Sequence, residues 1–372
     1  MKNLLENYDL AGRQISNRIV MAPMTRARRP DYVADQETAT YYQQRATAGL
    51  IITEGTPISP EGQGYLNVPG IWSSEQTQGW KIVTEAVHAA GGTIFAQLWH
   101  VGRMSHTSLQ PTNGAPVSST TTPVRDPKFQ VFTVKEDGTE GFVDPSVPRA
   151  LATEEMARVV ADFGRGAKNA ATAGFDGVEL HAANGYLFEQ FLNPLLNDRT
   201  DRYGGTVENR ARLTLETVDA LVDNLGADRV GVRLAPHNQQ FEMQDYDGVE
   251  ETYFYLAREL ASRNVAYIHL NDNWAAGRSV IDDEFLAEFR KHFAGTIILA
   301  GAMTFERGER LVEAGIIDLP AFGQPFIANP DLVERYRDGV ALANPNRETY
   351  YGGGSAGYTD YPRAVDTKGV LS

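Results

Sequence analysis

The amino-acid sequence predicts an α/β fold, a (β/α)8 barrel of the TIM type, on three observations. Short apolar runs recur at 18–25, 50–56, 93–100, 177–183, 229–236, 266–272, 296–303 and 319–326. Near-continuous apolar runs of this length suit parallel strands covered on both faces. A helical pattern usually follows each run. Eight such units in 372 residues fit a barrel of about 250 residues carrying insertions. The rival is a doubly wound open sheet, but no G-x-G-x-x-G follows the first run.

Each element has a local reason. The opening YDLAGRQISNRIV reads as a hairpin centred on Gly12. In the segment 153–173, Met156, Val159, Val160, Phe163, Ala167 and Ala170 fall at helical spacing, and 206–225 and 249–262 repeat the pattern. The extra length lies between His100 and Thr153 and is rich in Pro, Thr, Ser and Gly. A loop after a barrel strand lies on the catalytic face, so 101–152 reads as a capping excursion. Within it VFTVKEDGTEGFVDP has the form of a hairpin turning at Asp137-Gly138. No linker rich in Pro, Gly and Ser divides the chain, so residues 1–372 read as one domain.

Composition narrows the function. The net charge is −14 with acidic residues spread throughout, and no basic face marks a nucleic-acid binder. No apolar run approaches the roughly 18–20 residues that span a bilayer. MKNLLENYDL lacks the apolar stretch of a signal peptide, so the expected location is the cytoplasm. The absence of cysteine removes disulfides, thiolate-held zinc, Cys-ligated iron–sulfur clusters and a catalytic thiol; no metal is expected. An acidic chain can still hold a phosphate through backbone N–H groups and one or two cations.

The strongest chemical signal is GVELHAANGYLFEQFLNPLLNDRTDRYGG, 177–205. It sets His181, Asn184 and Tyr186 just after a strand-like run, with Gly185 between them. Any one of these could simply cap the next helix. Three together, followed by Asn197, Asp198, Arg199, Asp201 and Arg202, point to a site, because buried polar groups are costly unless paired. On a helical turn His181 and Asn184 would lie side by side. Tyr186 would then be about 140° round from His181, so the backbone must break near Gly185 for all three to share a pocket.

Active sites of such barrels lie at the C-terminal strand ends. In order these carry Pro23, Met24 and Thr25; Gly55; Gln97 and Trp99; His181 and Asn184; Arg233; Gly301 and Ala302; Gly323 and Gln324. Arg233 sits in an apolar strand, so it should meet an anion, an electron-rich group or an internal salt-bridge partner. Gly301 and Gly323 end the last two strands, where barrels often build a phosphate site, although turn glycines occur there too.

With these residues in view, the chain resembles the old yellow enzyme family, most nearly the branch of pentaerythritol tetranitrate reductase and N-ethylmaleimide reductase. The matching motifs are NRIVMAPMTR (17–26), YYQQRATAGLIITEGT (41–56), AQLWHVGR (96–103), HAANGY with FLNPLLNDRTDRYGGTVENRARL (191–213), AFGQPFIANPDL (321–332) and YGGGSAGYTDYP (351–362). They run nearly the whole chain.

The resemblance implies a bound FMN, reduced by NADH or NADPH and reoxidised by an activated alkene in a ping-pong cycle. The substrates implied are α,β-unsaturated carbonyls, maleimides, nitroalkenes or nitrate esters. The assembly implied is a monomer or homodimer without membrane or nucleic-acid partners. It implies that Pro23, Met24 and Thr25 lie along the flavin, that Gly55 and Gln97 contact its pyrimidine side, and that Arg233 faces its N1/O2 edge. Gly301, Ala302, Gly323 and Gln324 occupy the phosphate positions. His181 and Asn184 grip the activating oxygen, Tyr186 supplies the proton, and hydride comes from flavin N5. Tyr65, Trp99 and Tyr351, with Phe241 and Trp274, stand as candidate pocket walls.

Two departures stand out. The family usually has Arg where this chain has Gln324, which donates a hydrogen bond but brings no charge. APHNQQFEM (235–243) replaces the usual Ser-Pro and Gly-Thr-Phe stretch, so an altered substrate range is expected at that rim. A dienoyl-CoA reductase would need a Cys-ligated cluster and an extra domain. A non-catalytic flavin protein would not need His181, Asn184 and Tyr186.

Overall fold

A computed structural model describes residues 3–272 and 279–364. Eight parallel strands close on themselves in chain order. They are β1 (Val20–Met21), β2 (Leu50–Ile52), β3 (Ile94–Trp99), β4 (Gly177–Ala182), β5 (Val230–Leu234), β6 (Tyr267–Asn271), β7 (Thr296–Ala300) and β8 (Leu319–Phe322). β8 pairs back onto β1 through Ala321↔Val20.

The outer layer follows the same rhythm. Its helices are α1 (Gln36–Gln43), α2 (Ser74–Ala89), α3 (Met156–Thr172), α4 (Val207–Leu225), α5 (Val249–Ser262), α6 (Asp283–His292), α7 (Phe305–Glu313) and α8 (Leu332–Asp338). α5 begins and ends where its apolar spacing does. α3 starts later than expected because Thr153–Glu155 forms a separate 3-10 turn.

Side chains alternate along a strand, and here the alternation divides two cores. Val178, Leu180 and Ala182 of β4 face the helices, as do Val230, Val232 and Leu234 of β5. Inside the barrel, Val20, Leu50, Phe95, Tyr267, Ile298 and Leu319 pack with Leu10 and Ile15. Those last two come from the opening hairpin, Tyr8–Leu10 with Arg13–Ile15, which plugs one end of the barrel.

Every strand is shorter than its apolar run, and in two the cause is plain. The first stops at Met21, since Pro23 has no N–H to give the ladder. The last stops at Phe322, and 324–328 is not strand: Gln324 opens a short helix with Pro325 in its first turn. The segment 101–152 folds back as a cap. Its hairpin pairs Val131–Val134 with Glu140–Val143, and Gly138 takes φ +81° at the turn. Leu109, Val124, Phe129 and Val131 of the cap share one apolar cluster with Trp99, Val101 and Tyr186, so the cap is continuous with the barrel mouth.

Candidate active site

The turn after β4 resolves the geometry that sequence spacing left open. His181 is the fifth residue of a six-residue strand, so its expected helical pairing with Asn184 is incorrect. Asn184 and Gly185 both take left-handed backbone, φ +58° and +78°, and this double reversal brings the side chains together instead. The expected break at Gly185 is present. Tyr186 precedes the short helix Leu187–Leu192 without capping it through a side chain, and the capping role considered for these residues is absent.

The reversal is held by the two residues that close the next turn. Gly185 N–H donates to Glu189 at 2.7 Å, and Gln190 Nε2 donates to the Gly185 carbonyl at 2.8 Å. Gln190 also donates to the Val101 carbonyl, and its Oε1 accepts from the Arg103 amide and the Ser118 hydroxyl. The turn is thereby fastened to the start of the cap. Glu189 is buried and accepts from Asn238 of the 235–243 loop as well. Burial raises its carboxyl to about 7, although both donors oppose the shift.

An aromatic stack frames the pocket. Tyr65, Trp99 and His181 lie nearly parallel, with ring centroids 5.5 and 5.9 Å apart. Tyr186 stands edge-on to Trp99 at 4.9 Å and to His181 at 5.1 Å. The Tyr186 and Tyr65 hydroxyls are 3.1 Å apart. Burial holds the His181 imidazolium well out of reach, with the Arg233 cation adding to the effect, so the ring is neutral at neutral pH. Burial likewise raises both phenols, leaving Tyr186 protonated. Phe241 packs near Tyr186 and against Phe129 of the cap. Tyr351 is 67% exposed and stands at the rim rather than as a buried wall. Trp274 lies outside the described residues.

Beneath this stack runs a chain of directed bonds. Arg233 Nη2 donates to Asn271 Oδ1 at 2.8 Å, and Asn271 Nδ2 donates to Asn184 Oδ1 at 2.8 Å. With its oxygen occupied, Asn184 keeps an NH2 group to offer. No carboxylate within the described residues pairs directly with Arg233, so its salt-bridge alternative is not realised there. Deeper, Glu179 accepts from Gln97 Nε2 at 2.7 Å and lies 2.8 Å from His269 Nδ1. Glu179, His269 and Asn271 are absent from the sequence-derived site. Glu179 shares the inward alternation of His181, so the period that flagged one also flags the other.

The remaining candidates lie around the same mouth. Pro23, Met24 and Thr25 follow β1 and are half-buried; Met24 comes close to Gly323. A Cβ at Gly55 would sit 2.5 Å from the Trp99 ring, which gives that glycine a packing reason of its own. Gly301 and Ala302 take φ +97° and +42°. A Cβ at Gly301 would lie 1.9 Å from the Asp272 carbonyl oxygen, so only glycine fits. Gln324 is exposed. Arg307 approaches this side, but it donates to the Gly301 carbonyl and the Asp272 carboxylate.

These features can be set beside known proteins. A model of the NADH:flavin oxidoreductase / NADH oxidase family matches residues 4–343. A putative 12-oxophytodienoate reductase 11 of Oryza sativa subsp. japonica is 42% identical over 96% of this chain and 97% of its own length. Morphinone reductase in complex with tetrahydroNAD is 46% identical over 97% of each chain, with a TM-score of 0.93. The chain belongs to the old yellow enzyme family. A homologue of that enzyme from Zymomonas mobilis superposes with a TM-score of 0.90 at 37% identity, covering 96% of this chain and 99% of its own.

As a family member the chain is an FMN-binding NAD(P)H oxidoreductase. Its own residues fit that cofactor. Trp99 Nε1, His181 Nδ1 and Arg233 Nε are buried at the strand ends without partners, and polar atoms so placed suit a ligand rich in acceptors. The described residues contain no His, Cys, Asp and Glu cluster able to hold a metal and no helix able to cross a membrane.

Proposed function

We propose that this oxidoreductase is an ene-reductase. In this reading it uses NADH or NADPH to reduce the C=C bond of α,β-unsaturated carbonyls, maleimides or nitroalkenes, with nitrate esters as a further class. One observation carries it: the Asn271-to-Asn184 bond turns the Asn184 amide so that its NH2 can work beside the neutral His181 ring. Two neutral donors with a phenol edge-on to them match a substrate whose oxygen gains charge while a neighbouring carbon gains a proton. Relatives named as 12-oxophytodienoate reductases and morphinone reductase support the class.

Bound FMN would be held by Pro23, Met24, Thr25, Gly55, Gln97 and Arg233 around its rings and by Gly301, Ala302, Gly323 and Gln324 at its phosphate, and it supplies the hydride. His181 and Asn184 orient the activating oxygen and stabilise the charge that develops there; losing one such donor typically costs about 10²–10³ in rate. Tyr186 delivers a proton to the α-carbon, and Tyr65, 3.1 Å away, is placed to restore it. Trp99 and Tyr65 restrict the substrate to a flat shape, and Tyr351 closes the rim. Nicotinamide and alkene use this mouth in turn.

The test is spectroscopic. NADH or NADPH should bleach the bound flavin anaerobically, and 2-cyclohexenone should restore the colour. A protein that is bleached yet recoloured by no activated alkene would rule out the ene-reductase reading. Titration with each nicotinamide gives the preference between them.

A further inference from the structure

The barrel interior holds a carboxylate that the reaction above does not use. Glu179 is fully buried, and so is His269, whose Nδ1 lies 2.8 Å from it. They stand on β4 and β6, which are not neighbours, so the bond crosses the barrel interior. The strand between leaves room because Gly231 is the register partner of Glu179. A Cβ there would meet the Tyr267 ring at 2.1 Å.

A charge in this position needs a reason, since buried ions are costly and an apolar replacement is often neutral or better for stability. The direct partners of Glu179 are an amide and an imidazole, not a cation. Burial alone would push its carboxyl up. His269, the Arg233 cation and the Gln97 amide outweigh that and hold it below the ordinary carboxylate value.

Two consequences follow for whatever sits above. The bond from Gln97 Nε2 at 2.7 Å turns the nitrogen end of the amide to the carboxylate and uses one of its two N–H groups, which leaves the carbonyl oxygen to offer as an acceptor suited to an imide N–H. Arg233 stands two residues along β5 from Gly231, the register partner of Glu179, and so on the same inward face; there the anion opposes the loss of charge that burial favours for the guanidinium, and the floor is not the bare cation that Arg233 alone would make.

We propose that Glu179, braced by His269, is a positioning residue for the flavin: it fixes the Gln97 amide with its oxygen toward the pyrimidine ring and offsets Arg233, holding the reduction potential down. This rests on the reading that Gln97 and Arg233 face that ring. An anion below a cofactor that becomes more negative on reduction disfavours the reduced form.

The test uses the FMN-loaded protein and its Glu179→Gln variant, which keeps an acceptor for Gln97 but removes the charge. The midpoint potential is read by anaerobic equilibration with a reference dye, and the dissociation constant of oxidised FMN is read separately. We expect the preference for reduced over oxidised FMN to rise about tenfold, which is about 30 mV for a two-electron couple. Binding of oxidised FMN should change less than this. A potential equal to or below that of the parent overturns the proposal, since a purely structural role would not raise it.

Arg233→Gln separates the two levels of the argument. If it lowers the potential while Glu179→Gln leaves it unmoved, only the role of Glu179 falls. If neither moves it, the flavin does not lie over this floor, and the assignment of Gln97 and Arg233 falls as well. Should Glu179→Gln not fold, the reduced-minus-oxidised infrared spectrum of the unaltered holoenzyme decides. A shifted carboxylate band supports the proposal, and a flat carboxylate region overturns it.

Discussion

The two sides of the barrel mouth are built on different principles. On the β4 side, His181, Asn184 and Tyr186 are each fixed several times over, by stacked rings, by the Asn271 bond and by the grip of Glu189 and Gln190 on Gly185. On the β7–β8 side, Gly301 and Gly323 offer little but backbone, Gln324 is exposed, and Arg307 is already engaged by Asp272. Under the proposed roles, orientation is over-determined on the side that would place a proton, and attachment is lighter on the side that would retain a phosphate. Changes on the first side should therefore act on rate, and changes on the second on cofactor retention.

The largest effect is expected from Tyr186→Phe. It should slow reoxidation by an alkene by about 10²–10⁴ while flavin reduction by NAD(P)H survives. Separate stopped-flow measurements of the two half-reactions check this, and equal slowing of both would contradict the division of roles.

Next comes Glu189, whose carboxyl titrates near 7 when folded against about 4.3 unfolded. The folded state then binds the extra proton between those values. Its contribution to stability is complete below about 4.3 and is lost as pH rises to about 7, roughly 4 kcal/mol at most. The melting temperature of Glu189→Gln, compared with the parent, should improve from pH 5 to about 7 and level off above it. A difference independent of pH would remove Glu189 as its source.

Gln324→Arg should tighten FMN binding by about 1.5–3 kcal/mol, tenfold to a hundredfold, by restoring a charge-assisted contact. The parent should shed FMN on dilution, and equal dissociation constants for the two forms would show that backbone donors suffice. The smallest effect belongs to Asn271→Ala, which frees the Asn184 amide at about 0.5–1.5 kcal/mol. It should weaken binding of an added phenol to the FMN-loaded protein, read from a long-wavelength charge-transfer band with the flavin, while FMN affinity is kept. An unchanged band would mean that Asn184 is oriented by its left-handed backbone alone.

Much of this arrangement is legible in the residues. Apolar runs gave the barrel, Asp137-Gly138 gave the cap hairpin, and Gly185 marked the backbone break. The left-handed turn at Asn184 was not legible, because periodicity describes regular backbone and this pair of reversals has no period. The clamp from Glu189 and Gln190 left no trace for a similar reason: helix spacing shows which face is apolar, not which side chains turn back to serve a neighbouring turn. Glu179 and His269 were within reach, since β4 and β6 alternate inward and outward. A buried carboxylate in an apolar strand carries the same signal that singled out Arg233.

One feature bears on how the molecule comes into being. Arg26 gives its guanidinium to the carbonyls of Thr349, Tyr350 and Gly357, and Arg28 gives its own to Thr349, Gly354 and Ala356. Tyr358 stacks on Tyr41 at 4.2 Å, and Arg45 reaches the Tyr358 carbonyl. The arginines at the start of the barrel are thus sealed by a segment made more than 300 residues later on the ribosome. Until that segment has been made, Arg26 and Arg28 lack these carbonyl partners. The seam between the two ends therefore forms only once nearly the whole chain has been made, and Tyr351 at the pocket rim belongs to the segment that closes it.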